Sequence, residues 1–509
     1  MKLKTLLSCA VVSLCNGSLF AQSAVAAAPT TSHEDRLAAL KSLEIEDGII
    51  SSVHRDEPPT QPASDGRPQD NLPPRTIVKA LLQPAKGSNI NIEIWLPDAE
   101  NWNQRFVGLG NGGSAGRIHS EGLAWPLSSG YAVATTDMGT APSSDSGVGN
   151  PEVWKDFGFR ATHLMTLAAK QIIKAFYGDA PSHSYFIGGS TGGQQALQEA
   201  QRYPDDYNGI IAGVPAHCRT PLHAYFLWND QILRNCPFTK EQEASVIAAG
   251  IEYMAPRETP PAGGKFISDP RCDGKDIEAV IALALLKDPT LTPQHAEALR
   301  KLFGGPKHAV TGERIFNGIP FGSSISASHG HLYLFKWVFG ADKKFEDINF
   351  GADIDTYTAT LGPYLNAENP DLSAFEKRGG KLIMTSGSAD SIVPYHSTLD
   401  YYERVIEHFG SPEKVRSFFR FYIIPGMGHG GGPAAFQSQN LLTVLRNWHE
   451  KGIIPDMLPG PRVGKTEIPI FPYPTKPGWD AETSSFKAMP GPRGGIESVA
   501  PAFRPAASQ

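Results

Sequence analysis

Residues 188–197 read GGSTGGQQAL, and this stretch carries the strongest indication of the fold class. Gly188, Ser190 and Gly192 match the pattern G-x-S-x-G, in which a serine stands among small residues. The pattern is informative only where a strand ends just before the serine and a helix begins just after it. In that context the turn presents a nucleophile, and the glycines remove side chains that would collide with the turn.

The neighbouring residues supply this context. Residues 183–187 (HSYFI) predict a strand before the turn, and residues 194–202 (QQALQEAQR) favour a helix after it. The apolar run 209–214 (GIIAGV) is typical of a strand inside a parallel sheet. Ser190 is therefore expected at a strand-to-helix turn, where the helix N-terminus favours negative charge.

Strands and helices alternate on both sides of this unit. Residues 89–97 alternate apolar and polar side chains, which predicts a strand with one buried face. The helix over 160–177, which Gly178 ends, has a predicted apolar face of Leu164, Leu167, Ala168, Ile172 and Phe176. The other predicted strands are 105–110, 130–137, 381–385 and 418–424, and the other predicted helices are 401–409 and 437–451. This alternation predicts an α/β fold of the α/β-hydrolase type.

About 165 residues of different character separate the two halves of this pattern. Residues 216–380 contain short helices, one of them opened by Thr292 and Pro293. A segment of that length inside a sheet predicts a domain, not a loop, and we interpret it as a lid. The predicted division is a signal peptide over 1–28, a loose N-terminal leader over 29–75, a catalytic domain in two parts over 76–215 and 381–480, the lid over 216–380, and a C-terminal tail over 481–509.

Three chemically suited residues follow predicted strands in the order serine, aspartate, histidine. Ser190, Asp390 and His429 have the chain order of α/β-hydrolase triads. A serine hydroxyl needs an imidazole to take its proton, and the imidazole needs a carboxylate to fix its tautomer and stabilise its charge. Asp137 is the rival acid, but it precedes Ser190 and breaks the order. The other candidate histidines are interpreted as lid or surface residues: His217, His223 and His396.

The negative oxygen of an acyl-transfer intermediate needs two backbone N–H donors. The residue after the nucleophile, Thr191, is expected to supply one. Gly112 or Gly113, in a loop after an early strand, is expected to supply the other, because glycine lets backbone approach a substrate closely. The alternative is that Gly112 and Gly113 form an ordinary glycine-rich turn.

The N-terminus and the charge balance bear on where the chain acts. Lys2 and Lys4 precede a mostly apolar stretch over 6–20, and small residues follow at 24–28, the pattern of a secretory signal peptide. We expect a secreted or periplasmic protein.

With 46 basic and 52 acidic residues, the chain lacks the basic surplus of nucleic-acid-binding proteins. No apolar run reaches the roughly 18 residues of a membrane span.

Cysteine and metal-ligand patterns are sparse. Cys218, Cys236 and Cys272 remain after the signal peptide, and an exported protein permits one disulfide among them, with the pair left open. No cluster of histidines, cysteines and acids has metal-ligand spacing, and no phosphate-binding or dinucleotide-binding motif occurs. We therefore expect neither a metal nor a cofactor.

Stretches spread over residues 76–475 resemble the tannase and feruloyl esterase family of secreted α/β-hydrolases. They include IEIWLPDAENWNQRFVGLGNGGSAG at 92–116, SYFIGGSTGGQQALQEAQRYPDDYNGIIAGVPA at 184–216, KLIMTSGSAD at 381–390 and PGMGHGGG at 425–432. The resemblance implies a triad of Ser190, Asp390 and His429, a lid inserted after the nucleophile half, and esters of aromatic carboxylic acids as substrates.

Three departures from the family pattern stand out. The family usually has a cysteine before the serine and another after the histidine, which form a disulfide beneath the triad; here these positions are Gly189 and Gly430. The family's lid usually carries an Asp-rich calcium loop, but the matching stretch 252–272 lacks the Asp-Gly repeat and keeps only Cys272 of a cysteine pair. A cysteine before the late PYP motif is replaced by Phe471. The resemblance implies a subgroup without this disulfide, and we expect calcium to be dispensable.

The sequence therefore predicts an exported serine esterase that hydrolyses aromatic, phenolic acid esters through an acyl-enzyme, like a feruloyl esterase. A tannase acting on galloyl esters is the alternative, and the expected partner is a small-molecule or plant-polymer-derived ester. A non-catalytic binding protein on a hydrolase scaffold is more remote, because the triad is complete. Phe226, Trp228 and Trp337 are candidates for an aromatic pocket, although core packing is the favoured interpretation of each.

Overall fold

A nine-stranded sheet organises the computed structural model, which describes residues 32–57, 72–257, 267, 271, 274–325, 329–430, 438–460, 462–463 and 466–505. The strands of this sheet are β1 (Gly48–Asp56), β2 (Arg75–Leu82), β3 (Ile90–Pro97), β4 (Arg105–Leu109), β5 (Ala132–Thr136), β6 (His183–Gly189), β7 (Gly209–Gly213), β8 (Lys381–Gly387) and β9 (Phe419–Ile424). Two hairpins follow near the C-terminus, β10 (Arg462–Val463) with β11 (Thr466–Glu467) and β12 (Lys476–Asp480) with β13 (Ser485–Met489).

The α-helices lie between and around these strands. They are α1 (His33–Lys41), α2 (Ala124–Ser128), α3 (Pro151–Lys155), α4 (Ala161–Tyr177), α5 (Thr191–Arg202), α6 (Arg219–Asn235), α7 (Lys240–Met254), α8 (Gly274–Lys287), α9 (Pro293–Gly304), α10 (Tyr333–Phe339), α11 (Ala352–Leu365), α12 (Ser373–Lys377), α13 (Tyr395–Phe409), α14 (Pro412–Phe418) and α15 (Ser438–Lys451).

The strands lie in the order β1-β2-β3-β5-β4-β6-β7-β8-β9. The three pairs β1-β2, β2-β3 and β3-β5 are antiparallel. The remaining neighbours, from β5-β4 through β8-β9, are parallel. Parallel strands end at one edge of a sheet, so the turns after β4, β6, β8 and β9 meet there. This is the α/β architecture that the sequence predicts, and it gathers the candidate site residues at one edge.

Alternate residues of the strands feed two apolar cores, one on each face of the sheet. Ile92 and Ile94 pack into the core that contains α4, α5 and α13, whereas Trp95 packs into the core that contains α2 and α15. The prediction of one buried face at 89–97 is wrong because helices cover both faces. Even Glu93 is 7% exposed, and its carboxylate accepts a hydrogen bond from Nε1 of Trp95 at 2.7 Å.

The long helix α4 follows the prediction except in one part of its apolar face. It ends before Gly178, whose φ of +90° has the left-handed geometry expected there. Leu167, however, is 43% exposed, while Met165 and Ile173 are buried. Leu167 is rotated by about half a turn from Met165, so the side of the helix that carries Met165 faces the core and Leu167 points to solvent.

The two ends of the chain are more regular than the sequence predicts. The prediction of a loose leader over 29–75 is wrong in two places. Helix α1 opens with a capping box at Ser32, and β1 pairs with β2. The expected tail over 481–509 contributes β13 and buries Val499 and Phe503 at 1% and 2% exposure. In the described part of the N-terminal region pairing of β1 with β2 attaches the chain to the sheet, and in the C-terminal region the buried side chains of Val499 and Phe503 do so.

The chain between β7 and β8 holds helices α6 to α12, although these two strands pair directly. Thr292 caps α9 as predicted, and Leu299 and Leu302 of that helix are fully buried. Helix α6 begins close to the carboxyl edge of the sheet, because Ala216 donates its N–H to the carbonyl of Ser190 at 2.9 Å. The domain boundaries 216 and 380 stay predictions.

Several predictions fall outside the described residues. They include the signal peptide over 1–28, Cys272 and most of the stretch 252–272. Cys218 and Cys236 are described, and both are buried free thiols, so they do not pair with each other. Across the described ranges, none of the helices combines the length and apolar character needed to cross a bilayer.

Candidate active site

Three turns at the carboxyl edge of the sheet bring Ser190, His429 and Asp390 into one hydrogen-bonded chain. Ser190 follows β6, Asp390 follows β8, and His429 follows β9. Nε2 of His429 lies 3.0 Å from Oγ of Ser190, and Nδ1 of His429 lies 2.9 Å from Oδ2 of Asp390. The structure thus brings together all three side chains that the sequence selects, with the imidazole between the hydroxyl and the carboxylate.

The turn at Ser190 is strained, and its neighbours permit it. Ser190 has φ +60° and ψ −117°, a conformation that costs energy for a residue with a side chain. Its N–H donates to the carbonyl of Gly213 at 2.9 Å, which holds the turn against β7. A Cβ on Gly188 would lie 2.0 Å from the carbonyl oxygen of Gly192, whereas a Cβ on Gly189 would have no neighbour closer than 3.8 Å. Gly188 is therefore sterically required, and Gly189 is not.

The carboxylate of Asp390 is held from two sides. Its Oδ1 accepts the backbone N–H groups of Ile392 and Val393, both at 2.9 Å, and its Oδ2 faces His429. Because a carboxylate accepts, Nδ1 of His429 carries the proton and Nε2 is left to accept from Ser190. Asp390 is fully buried, while the side chain of His429 is 24% exposed, so the imidazole is reachable from solvent and its partner is not.

Asn111 joins the loop after β4 to α5, the helix that follows Ser190. Its N–H donates to Oε1 of Gln195 at 2.8 Å, and its carbonyl accepts the N–H of Gly192 at 2.7 Å. Its side-chain amide donates to the carbonyl of Thr136 at 2.5 Å. The sequence predicted the loop of Asn111, Gly112 and Gly113 as part of the site, but it did not predict the bond from Asn111 to Gln195, two residues that are 84 positions apart.

The expected oxyanion donors lie on either side of this junction. Thr191 is the first residue of α5, where backbone N–H groups have no partner within the helix. Among the described residues, none accepts a hydrogen bond from the backbone N–H groups of Thr191, Gly112 and Gly113. The Thr191 hydroxyl donates to the carbonyl of Gly113 at 2.6 Å, so the two expected donor segments are joined.

The rival acid, Asp137, has a different role. Its carboxylate accepts the N–H groups of Gly139 at 2.8 Å and Asn91 at 3.0 Å, and the side-chain amide of Asn91 at 2.6 Å. Burial raises the pKa of Asp137 above its ordinary value. These bonds close the turn after β5, and the structure does not bring Asp137 to His429.

The other candidate histidines are buried, so the surface alternative is wrong, whereas the assignment of His217 and His223 to a lid stays a prediction. His217 donates from Nδ1 to the carbonyl of Pro215 at 2.9 Å. Burial, followed by the charge of Arg219, lowers the pKa of His223 well below its ordinary value. Burial also lowers the pKa of His396 to about 3. None of the three replaces His429 beside Ser190.

The aromatic residues considered for a pocket pack mainly within the fold. Phe226 and Trp337 are 2% and 1% exposed and belong to the larger core. Trp228 is half-buried, stacks edge-on to Phe350 and donates from Nε1 to the carbonyl of Lys301 at 2.9 Å. Core packing is confirmed for Phe226 and Trp337.

One group of side chains in the described part of the chain has metal-ligand character. Ligand atoms of His163, Glu199 and Asp206 lie within 4.8 Å of one another. Nδ1 of His163 lies only 2.6 Å from Oδ2 of Asp206, a hydrogen-bond distance, whereas two ligands of one ion with bonds of about 2 Å lie roughly 3 Å apart. Burial, followed by the neighbouring Asp206, raises the pKa of Glu199. We interpret the contact between His163 and Asp206 as a hydrogen bond that joins α4 to the turn after α5.

Gly189 and Gly430 line one cavity of about 510 Å³ beside the triad. Apolar side chains, among them Trp125, Met427 and Leu441, form much of its remaining wall. The two positions at which the family resemblance implies cysteines therefore face a common space. With glycine at both positions, no covalent bond joins the serine turn to the histidine turn.

Comparison with known proteins assigns the family. Residues 76–252 and 343–489 match the family model described as tannase and feruloyl esterase. The chain belongs to this family. The resemblance seen in the sequence is thereby confirmed, and so is the predicted enzyme class, a carboxylic ester hydrolase.

Individual members of the family match most of the chain. An esterase of Xanthomonas campestris is 28% identical to this chain, and the alignment covers 94% of this chain and 95% of the esterase. Feruloyl esterase B of Aspergillus niger is 31% identical and covers 73% of this chain and 77% of its own. The crystal structure of feruloyl esterase B from Aspergillus oryzae is 23% identical and covers 89% of this chain and all of its own, with a TM-score of 0.75. This last likeness confirms the fold class.

Proposed function

We propose that this member of the family is an exported serine esterase that hydrolyses esters of phenolic acids, feruloyl esters foremost, through an acyl-enzyme. The observation that carries the proposal is the chain of hydrogen bonds from Ser190 through His429 to Asp390. The aromatic acyl group is supported by the feruloyl esterases among the relatives. Export is supported by the N-terminal pattern of residues 1–28.

In the first half-reaction Oγ of Ser190 attacks the ester carbonyl, and Nε2 of His429 takes the hydroxyl proton. Nδ1 of the imidazolium remains hydrogen-bonded to Asp390, which stabilises the new positive charge. When the tetrahedral intermediate collapses, the ester C–O bond breaks and His429 gives its proton to the leaving alcohol. A water molecule then attacks the acyl-enzyme with His429 as base, which releases the acid and restores Ser190.

The tetrahedral intermediate carries a negative oxygen that needs donors already in place. The N–H of Thr191 and an N–H of Gly112 or Gly113 fill this role in the proposal. The hydrogen bonds of Asn111 with Gln195 and Gly192 hold the loop of Gly112 and Gly113 beside the start of α5. The donors therefore need little rearrangement as charge develops on the substrate.

A fluorophosphonate probe tests the serine mechanism separately from substrate choice. The wild-type chain is expected to be labelled at Ser190, as located by peptide mass spectrometry, and Ser190→Ala is expected to remain unlabelled. Labelling elsewhere, or no labelling of a folded wild-type chain, contradicts the mechanism and favours a non-catalytic binding protein.

A substrate panel tests the acyl preference. Methyl ferulate, methyl gallate and a series of p-nitrophenyl alkanoates are compared by kcat/KM. The proposal predicts the highest value for methyl ferulate. A higher value for methyl gallate identifies a tannase instead, and a preference for the alkanoates rejects an aromatic acyl site.

A further inference from the structure

Arg219 is the first residue of α6, and its guanidinium reaches the two segments expected to bind the oxyanion. One terminal nitrogen donates to the hydroxyl oxygen of Thr191 at 2.9 Å. The other donates to the hydroxyl of Tyr333 at 2.7 Å and lies 3.3 Å from the carbonyl oxygen of Gly113. The guanidinium thus links Thr191, Gly113 and Tyr333.

The charge of Arg219 is buried without a carboxylate partner. The residue is 2% exposed, and in the part of the chain that the structure describes no acidic side chain forms an ion pair with it. Arg404, also largely buried, pairs with both Glu368 and Asp400. Burying a cation among neutral groups is costly, so its surroundings must compensate.

The observed compensation is partial. The face of the Phe157 ring lies 5.1 Å from the guanidinium carbon of Arg219, and three neutral oxygens accept its terminal N–H groups. Its Nε has no hydrogen-bond partner within the described residues. A positive charge that is short of negative partners therefore lies against the residue that follows the nucleophile.

We propose that Arg219 is a positioning residue of the oxyanion site, which orients Thr191 and the Gly113 peptide and supplies a permanent positive field there. The inference rests on the proposed function. Negative charge appears on the substrate oxygen only as the tetrahedral state forms, so a fixed cation nearby stabilises that state more than the neutral ester. The effect is expected in kcat, with little change in KM.

This role also gives the segment between β7 and β8 a part in the reaction itself. Arg219 begins α6 and Tyr333 begins α10, both within that segment. The Tyr333 hydroxyl lies 3.4 Å from the carbonyl oxygen of Gly113, so it supports the same peptide. The segment therefore completes the oxyanion site, in addition to any contact it makes with substrate.

The test compares kcat and KM for methyl ferulate in Arg219→Met, which keeps the length and loses the charge, and in Arg219→Lys, which keeps the charge. Arg219→Met is expected to lower kcat about 10²-fold, the size of losing one oxyanion donor, with KM changed less than about threefold. Arg219→Lys is expected to recover at least about tenfold of that loss. Arg420→Met removes another buried arginine, at the opposite end of β9 from His429, and is expected to retain the wild-type kcat.

The outcomes separate the two claims. If the wild-type chain turns over no ester, the proposed function fails and this inference fails with it. If the wild-type chain is active and Arg219→Met keeps kcat within about threefold of wild type, or changes KM alone, only the role of Arg219 is rejected. If a folded Arg219→Lys variant does not recover kcat, the proposed effect of the positive charge is rejected. If circular dichroism shows that Arg219→Met is unfolded, Thr191→Val takes its place, because it removes the hydroxyl bound by Arg219 and keeps the backbone N–H. A fall in kcat of about tenfold in Thr191→Val supports the inference. A wild-type kcat in Thr191→Val rejects the inference.

Discussion

Nδ1 of His429 lies 2.9 Å from Oδ2 of Asp390, although 39 residues separate them in the chain. The two residues follow β8 and β9, which pair in parallel up to Gly387 and Ile424. Their meeting is thus a consequence of the sheet, which delivers both turns to the same edge.

Asp390→Asn is expected to lower kcat about 10⁴-fold with little loss of stability. The amide keeps the shape of the carboxylate, but it neither fixes the Nδ1–H tautomer of His429 nor stabilises the imidazolium. Ester turnover measured on the folded variant checks this. Asp137→Asn changes a buried acid that does not contact His429, so it is the control, and its kcat is expected to stay within about tenfold of wild type. A kcat for Asp390→Asn similar to that of wild type would exclude Asp390 from the proton relay.

A matched pair of glycine variants tests the steric account of the serine turn. Gly188→Ala places a Cβ 2.0 Å from the carbonyl oxygen of Gly192, so it is expected to abolish activity or prevent folding. Gly189→Ala places a Cβ with no neighbour within 3.8 Å and is expected to retain most activity. Melting temperature and initial rate are measured for both. Equal tolerance at the two positions would show that the turn is not constrained in this way.

Local patterns in the sequence were sufficient for the elements that carry the triad. The apolar runs located β6, β8 and β9, and the chain order of Ser190, Asp390 and His429 predicted that these three side chains meet. The burial of β3 on both faces depends on helices distant in sequence, so its alternation was misleading. Arg219 and Tyr333 were missed for the same reason: only the folded chain brings α6 and α10 to Thr191.

The hydrogen bonds of Glu450 in α15 predict a contribution to stability that depends on pH. Its carboxylate accepts hydrogen bonds from Arg105 at 2.6 and 2.8 Å and from the hydroxyl of Tyr185 at 2.6 Å. These bonds, that with Arg105 foremost, lower the pKa of Glu450 from 4.5 to about 2. A lowered folded-state pKa contributes stability that is present above pH 4.5 and is lost as the pH falls toward 2.

Glu450→Gln is therefore expected to lower the melting temperature by about 1–3 °C at pH 7, with a difference that shrinks as the pH falls from about 4.5 toward 2. Thermal unfolding monitored by circular dichroism across this range measures it. Glu413→Gln, at a side chain that is 76% exposed, is the control and is expected to change little at any pH. A difference for Glu450→Gln that grows on acidification would reverse the assigned sign.

A mild reductant is expected to leave the initial rate unchanged. Gly189 and Gly430 cannot form a disulfide beside the triad, and Cys218 and Cys236 are free thiols. Rates with and without dithiothreitol are compared at moderate temperature, before unfolding begins. Immediate loss of turnover in the still-folded protein would mean that a cysteine bridge supports the site.

Ser190 is the proposed nucleophile, and Ser190→Ala removes its hydroxyl while leaving the rest of the site unchanged. The measurement is the steady-state hydrolysis of methyl ferulate by wild type and variant at equal concentration, after both show the same melting temperature. The variant is expected to lose nearly all turnover and to keep at most the roughly 10³-fold acceleration over water that binding and the oxyanion donors supply. Wild-type turnover by Ser190→Ala would show that Ser190 is not the nucleophile.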